Sequence, residues 1–197
     1  MRILGIDPGT AVTGIGLIES QGTEIKLIHF ESLHLNSKQL LTIRLKLIYD
    51  KCINCIKEFK PDQLVVETAF YGKNIQSTLK LGQARGVAII AGLNSDLNVS
   101  EYSPREVKKS VTGNGASTKH QVQYMVKAIL GIKEDLTDFD CTDALAVAMC
   151  HVYSCQNLFK FPSGNGRSSW TKFVENNPAK IWPGKANDSV YQRQAHF

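Results

Sequence analysis

The chain has 197 residues, 43% hydrophobic and 21% charged, with 23 Lys and Arg against 18 Asp and Glu. This excludes collagen-like, fully disordered and mini-protein classes, and predicts one well-cored domain with room for an appendage. The net charge of +5 is unevenly spread: nine Lys and Arg stand against three acids from Thr68 to Lys133, and the next ten residues, Glu134 to Asp143, carry five acids and no base. A basic stretch running into an acidic cluster fits a polyanion-binding surface with a metal site inside it.

In chain order, Arg2 to Asp7, Val12 to Glu19 and Thr23 to Ser32 read as three short strands, the last two parted by a tight turn at Gln21-Gly22, in an antiparallel meander. Leu41, Leu45, Ile48, Cys52, Ile56 and Phe59 recur at steps of three and four, the core stripe of an amphipathic helix that Pro61 stops. Gln63 to Val66 reads as a buried parallel strand, Ile75 to Leu93 as a helix, and Asn98 to Tyr102 as a fifth strand. Ser103 and Glu106 form a capping-box spacing with Pro104 at the first helical position, and Thr118 with Gln121 repeats the box. Thr112 to Ala116 is the loop between those two helices. A final helix spans about Phe139 to Cys155. This order predicts an α/β fold with a mixed five-stranded sheet, three antiparallel strands extended by two parallel ones, flanked by helices, as in ribonuclease-H-like proteins.

Residues 1–156 are expected to form that nuclease-like domain. Residues 157–197, rich in Gly, Pro, Ser and Asn with a few basic and aromatic residues, read as a partly disordered tail without its own core. Arg2 to Ile6 enters a strand pattern with no charged leader before it, and the longest apolar run, Val87 to Leu93, is too short to cross a bilayer. A cytoplasmic protein without a membrane partner is therefore expected. Five cysteines fit a reducing compartment, and Cys52 and Cys55 read as small core hydrophobes rather than zinc ligands.

Four carboxylates carry the chemistry. Asp7 and Glu67 each end a strand, so adjacent parallel strands would bring both to one carboxyl edge, where open α/β sheets place their sites. Asp140 and Asp143 share a face of the last helix. Taken singly, each has a plainer reading: a turn residue at Asp7, an exposed strand end at Glu67, helix-start acids at Asp138 and Asp140, a surface acid at Asp143. Jointly they predict a site for hard divalent cations, and two such ions about 4 Å apart catalyse phosphodiester hydrolysis.

Gly5-Ile6-Asp7-Pro8-Gly9-Thr10 with Thr13-Gly14 and Gly16, Val66-Glu67 with Phe70, the run Leu79 to Ala88, and Asp140 with Asp143-Ala144-Leu145-Ala146 stand in register from residue 2 to about 156. In these motifs the chain resembles the bacterial RuvC-type Holliday-junction resolvases. The resemblance implies a ribonuclease-H-like fold and a homodimer. It implies Mg²⁺ dependence, with one or two ions per subunit and Mn²⁺ as substitute, and Asp7, Glu67, Asp140 and Asp143 as the catalytic and metal-binding set. It also implies paired nicks in four-way junction DNA and a branch-migration motor complex as partner. The tail after Asn157 departs from the family pattern.

On the DNA side, the loop Phe70-Tyr71-Gly72-Lys73 follows Glu67. An exposed aromatic there can stack on an unpaired base; from the residues alone, Phe70 packing under its own loop is an equal alternative. The resemblance favours Phe70 stacking near the crossover, with Tyr71 a second platform. The resemblance also places Lys108 and Lys119 at the active-site rim for phosphate contact, with Lys73, Lys109 and Arg85 as further DNA contacts. Gly82 and Gly86 permit a close approach by another element or subunit. The rival readings are a ribonuclease-H-like RNA-processing nuclease, a phosphotransferase of the actin and sugar-kinase type, and a non-catalytic junction-binding module.

Overall fold

A computed structural model of the chain describes residues 1–22, 24–68, 74–134 and 138–156; Phe70, Tyr71, Lys73 and the tail from 157 onward lie outside the described residues. The elements are β1 (Arg2–Asp7), β2 (Val12–Gln21), β3 (Glu24–His34), α1 (Leu41–Phe59), β4 (Gln63–Glu67), α2 (Ile75–Leu93), β5 (Asn98–Tyr102), α3 (Pro104–Thr112), α4 (Lys119–Leu130) and α5 (Asp140–Cys155). The sheet order is β3-β2-β1-β4-β5. β1, β2 and β3 pair antiparallel, while β4 joins β1 and β5 joins β4 in parallel. This is the expected mixed sheet, and only the lengths of β2 and β3 differ, because their ladder runs on to pair Gln21 with Glu24 and Val12 with His34.

Helices cover both faces. Leu4, Ile6, Leu64 and Val66 point to one side and join Ile48, Cys52, Ile56, Ala84 and Ala88 of α1 and α2. Ile3 and Val65 point to the other and join Val107, Val126, Leu145, Ala148 and Met149 of α3, α4 and α5. Burial of β1 and β4 on both faces explains why their sequences read as unbroken apolar runs rather than alternating ones. Cys52 and Cys55 are buried as expected. Both predicted capping boxes form: the Ser103 and Thr118 hydroxyls accept from the Glu106 and Gln121 amides, and the Glu106 and Gln121 side chains accept from the backbone amides of Ser103 and Thr118. No helix among the described residues is long and apolar enough to cross a membrane.

The placement of α5 decides where the chemistry can be. This helix crosses β1 and β2 so closely that a Cβ on Gly5 would stand 2.2 Å from the Ala144 carbonyl oxygen, and one on Gly14 would stand 1.9 Å from that of Asp140. Glycine is required at both positions because the obstacle is helix backbone, which cannot rotate away. Gly14→Ala is therefore expected to lift the first turn of α5 off the sheet. The loss should be about 1–3 kcal/mol of stability, read by urea unfolding; an unchanged midpoint would show that the close approach is not rigid.

Candidate active site

Strand parity aims the first two acids. Side chains alternate between sheet faces, so Asp7 shares a side with Ile3 and Gly5, and Glu67 shares a side with Val65. That side is the one α5 covers. Ile6 is in register with Val66, so Asp7 and Glu67 occupy the next positions at the carboxyl edge of adjacent parallel strands. The Thr68 amide bonds the Tyr102 carbonyl at 2.8 Å, carrying the ladder past Glu67 and holding that strand end straight. Asp140 and Asp143 lie in the first turn of α5, where the positive helix end favours anions. Asp138 does not cap this helix but pairs with His34 at 3.0 Å.

The acids sense one another. Burial pushes the Asp7 carboxyl up to about 7, and repulsion from Asp143 and Asp140 adds to it, against the pull of Lys119 and a hydrogen bond with Glu67. Burial likewise pushes Glu67 up to about 8, with Asp7 and Asp143 adding and Lys119 and Lys108 opposing. Asp143 is also raised, chiefly by burial, although its Oδ2 accepts a hydrogen bond from Lys119 Nζ at 2.9 Å. Lys119 is held above its ordinary value: burial works against its charge, but Asp143, Asp7 and Asp140 more than offset that. Asp7 and Glu67 perturb one another, so their titrations belong to the pair.

The acids form a charge cluster in which Lys119 engages Asp143. Among the described residues, no three His, Cys, Asp or Glu side chains stand as a coordination set. The donor set, all carboxylate oxygen, nevertheless fits a hard divalent cation in chemistry and charge.

Of the basic residues named from sequence, Lys119 and Lys108 act on the acids, the first from the start of α4 and the second from α3. Lys109 is exposed on α3. Arg85 is committed elsewhere: its guanidinium is bonded to Glu101 on β5, which removes much of its value as a free phosphate contact. Sequence reasoning missed Arg44 and Thr13. Arg44 Nη1 donates to the Thr10 carbonyl at 2.6 Å, and Thr13 Oγ1 donates to the Gly9 carbonyl at 2.7 Å, both in the turn after Asp7. A signal for Arg44 existed, since position 44 falls on the buried stripe with Ile48 and Cys52.

Acids gathered at the carboxyl edge of this mixed sheet define a nuclease of the ribonuclease-H-like class. Comparisons with known proteins narrow that class. Residues 3–151 match the family model described as crossover junction endodeoxyribonuclease RuvC. A RuvC from Christiangramia forsetii is 41% identical over 91% of this chain and 92% of its own length, and one from Salinibacter ruber is 42% identical over 92% and 99%. Among solved structures, Thermus thermophilus RuvC in complex with Holliday junction substrate superposes with a TM-score of 0.75 at 29% identity, over 80% of this chain and 96% of that one. The yeast mitochondrial resolvase Ydc2, at 12% identity and a TM-score of 0.57 over 79% of this chain and 82% of that one, shares the fold. The chain belongs to the RuvC family of crossover junction endodeoxyribonucleases. That family is one of metal-dependent nucleases, and the endodeoxyribonuclease activity named for it favours the endonuclease reading over the RNA-processing and phosphotransferase alternatives. The matches to the Christiangramia and Salinibacter proteins extend past residue 156, so part of the tail is shared with relatives rather than departing from them.

The raised carboxyls fix a sign. Folded Asp7 and Glu67 hold protons that the unfolded chain, with ordinary carboxyls at 3.8 and 4.5, has already released. Stability without divalent cations should therefore fall as pH rises from about 4 to about 8, and level off above. Asp7→Asn should flatten that slope in thermal melts taken across this range; an unchanged slope would mean that folding does not raise the Asp7 carboxyl.

Proposed function

We propose that this chain resolves four-way DNA junctions by hydrolysing phosphodiesters at the Asp7–Glu67–Asp140–Asp143 edge. The observation that carries the reading is geometric: Asp7 and Glu67 end adjacent parallel strands on the side α5 covers, and Asp140 and Asp143 lie in the first turn of that helix, with Lys119 bonded to Asp143. Asp7, Glu67, Asp140 and Asp143 are the residues that would hold Mg²⁺, one or two ions per subunit, with Mn²⁺ able to substitute. A divalent cation there supplies a Lewis acid for the scissile phosphate and lowers the pKa of the attacking water.

The chain's own groups do the rest. With a cation bound, Asp7 and Glu67 would be held ionised, and their carboxylates would orient the attacking water at the strand ends. Lys119 Nζ, on a side chain 61% exposed at the rim, presents positive charge to the phosphate as negative charge builds up on it. Lys108 adds to the same field from α3, and Lys109 and Lys73 are secondary phosphate contacts, while Arg85 would reach phosphate only by leaving Glu101. Phe70, with Tyr71 beside it, stacks on bases at the junction centre. We take residues 1–156 as the nuclease unit and 157–197 as an appended segment. A branch-migration motor complex is the partner class that family membership favours.

The same reading calls for two active sites, hence a homodimer. An outward apolar face supports it. Leu79, Ile90 and Leu93 on α2 are exposed, the space beside Gly82 and Gly86 is open, and a groove of about 510 Å³ between α1 and α2 is lined by Leu45, Tyr49, Gly86, Val87 and Ile90. Such a patch on a DNA-cutting enzyme is best covered by a second copy.

Two measurements test this. On a synthetic four-way junction with Mg²⁺, Asp7→Asn should bind as the parent does but cleave more than about 100-fold more slowly; full cleavage would end the proposal. Ile90→Glu should halve the mass seen by sedimentation and uncouple the paired nicks, whereas an unaltered dimer would move the interface elsewhere.

A further inference from the structure

Among the described residues six polar or charged side chains are buried, Thr13, Ser20, Arg44, Ser117, Thr142 and His151, and only Arg44 carries a permanent charge. It is 9% exposed, and among the described residues no carboxylate forms an ion pair with it. Its Nε has no hydrogen-bond partner. Burying a cation this way is costly, and a Leu or Met would fill the same place on the α1 stripe without that penalty. What the guanidinium does deliver is one short bond, Nη1 to the Thr10 carbonyl at 2.6 Å.

Thr10 sits in the turn Pro8–Ala11 that leads out of Asp7. Three consecutive carbonyls of this turn are tied down. Gly9 accepts from the Thr13 hydroxyl at 2.7 Å while its own amide donates to that oxygen at 3.3 Å, and Ala11 accepts from the Leu35 amide at 2.8 Å. Those two ties come from β2 and from the chain just after β3. Arg44 provides the middle tie from α1, the helix layer opposite α5. The turn is thus held from the far side of the sheet while Asp140 and Asp143 approach from the near side. Its backbone has little freedom to shift along the strand direction as long as all three ties hold.

We propose that Arg44 is a positioning residue for catalysis. By bonding the Thr10 carbonyl it fixes the turn carrying Asp7, and so sets the Asp7 carboxylate relative to Glu67 and Asp143. The inference rests on the junction-cleaving reading above. It extends that reading to a residue that touches neither DNA nor the acids.

The test compares the parent with Arg44→Met, Arg44→Lys and Arg44→Gly, measuring junction cleavage at saturating Mg²⁺, the junction concentration at half-saturation, Mn²⁺ affinity without DNA, and thermal melting. Arg44→Met should lower kcat by about 100-fold, since small misplacements of reacting groups cost that much. Junction half-saturation should change little, and Mn²⁺ binding should weaken. Arg44→Lys, still able to donate to Thr10, should recover part of kcat, and millimolar ethylguanidinium should recover part of it in Arg44→Gly. Arg44→Met cleaving within about two-fold of the parent would overturn the proposal, as would a loss that simply tracks the unfolded fraction and that neither lysine nor ethylguanidinium relieves. Should Arg44→Met not fold, the lysine and glycine variants decide by the same criteria. A parent that does not cut junctions would instead defeat the functional reading, and Asp7→Asn, inactive in the same assay, keeps the two failures apart.

Discussion

Negative charges brought together at a dry sheet edge repel, and this repulsion is the constraint around which the molecule is arranged. Nothing in the local preferences of Asp7, Glu67, Asp140 or Asp143 draws them together. They are forced into company by strand parity, by the parallel pairing of β1 with β4, and by a helix that lies almost on the sheet backbone at Gly5 and Gly14. The hydrophobic burial of Leu145, Met149 and their neighbours supplies the driving force that holds α5 there against that repulsion. Part of the repulsion is offset by the Lys119 ammonium on Asp143.

The two sides of the sheet carry different burdens. On one, α5 contributes two acids while α3 and α4 bring Lys108 and Lys119 to the rim, so reacting groups and their charge compensation come from a single layer. On the other, α1 and α2 leave an apolar outer surface and send Arg44 inward to the turn after Asp7.

Much of this could be read from the sequence, for reasons that can be named. α2 and β5 begin and end where periodicity and turn chemistry place them, and both capping boxes are local signals that survive folding unchanged. The convergence of the acids followed from two strand ends and a three-residue helical spacing. What escaped depended on partners distant in the chain. Arg85 looked like a free cation until Glu101, 16 residues away, was seen to hold it. Asp138 looked like a cap and is instead paired with His34 across the edge of β3. Arg44 looked like one more charge on an amphipathic helix, because the periodicity of the apolar residues does not report which polar residue shares their face. The depth to which α5 sinks onto Gly14 is likewise a property of two backbones, and composition is silent about it.

The central claim is that burial and mutual repulsion raise these carboxyls, so that a divalent cation binding among them would displace protons. Calorimetric titration of the protein with Mn²⁺ at pH 7, repeated in buffers of different ionisation enthalpy, counts the protons released per ion bound. The account predicts saturable binding with release of about one proton, rising when the titration is done at lower pH and disappearing above pH 9. Binding without proton release at pH 7, or no saturable binding, would contradict it.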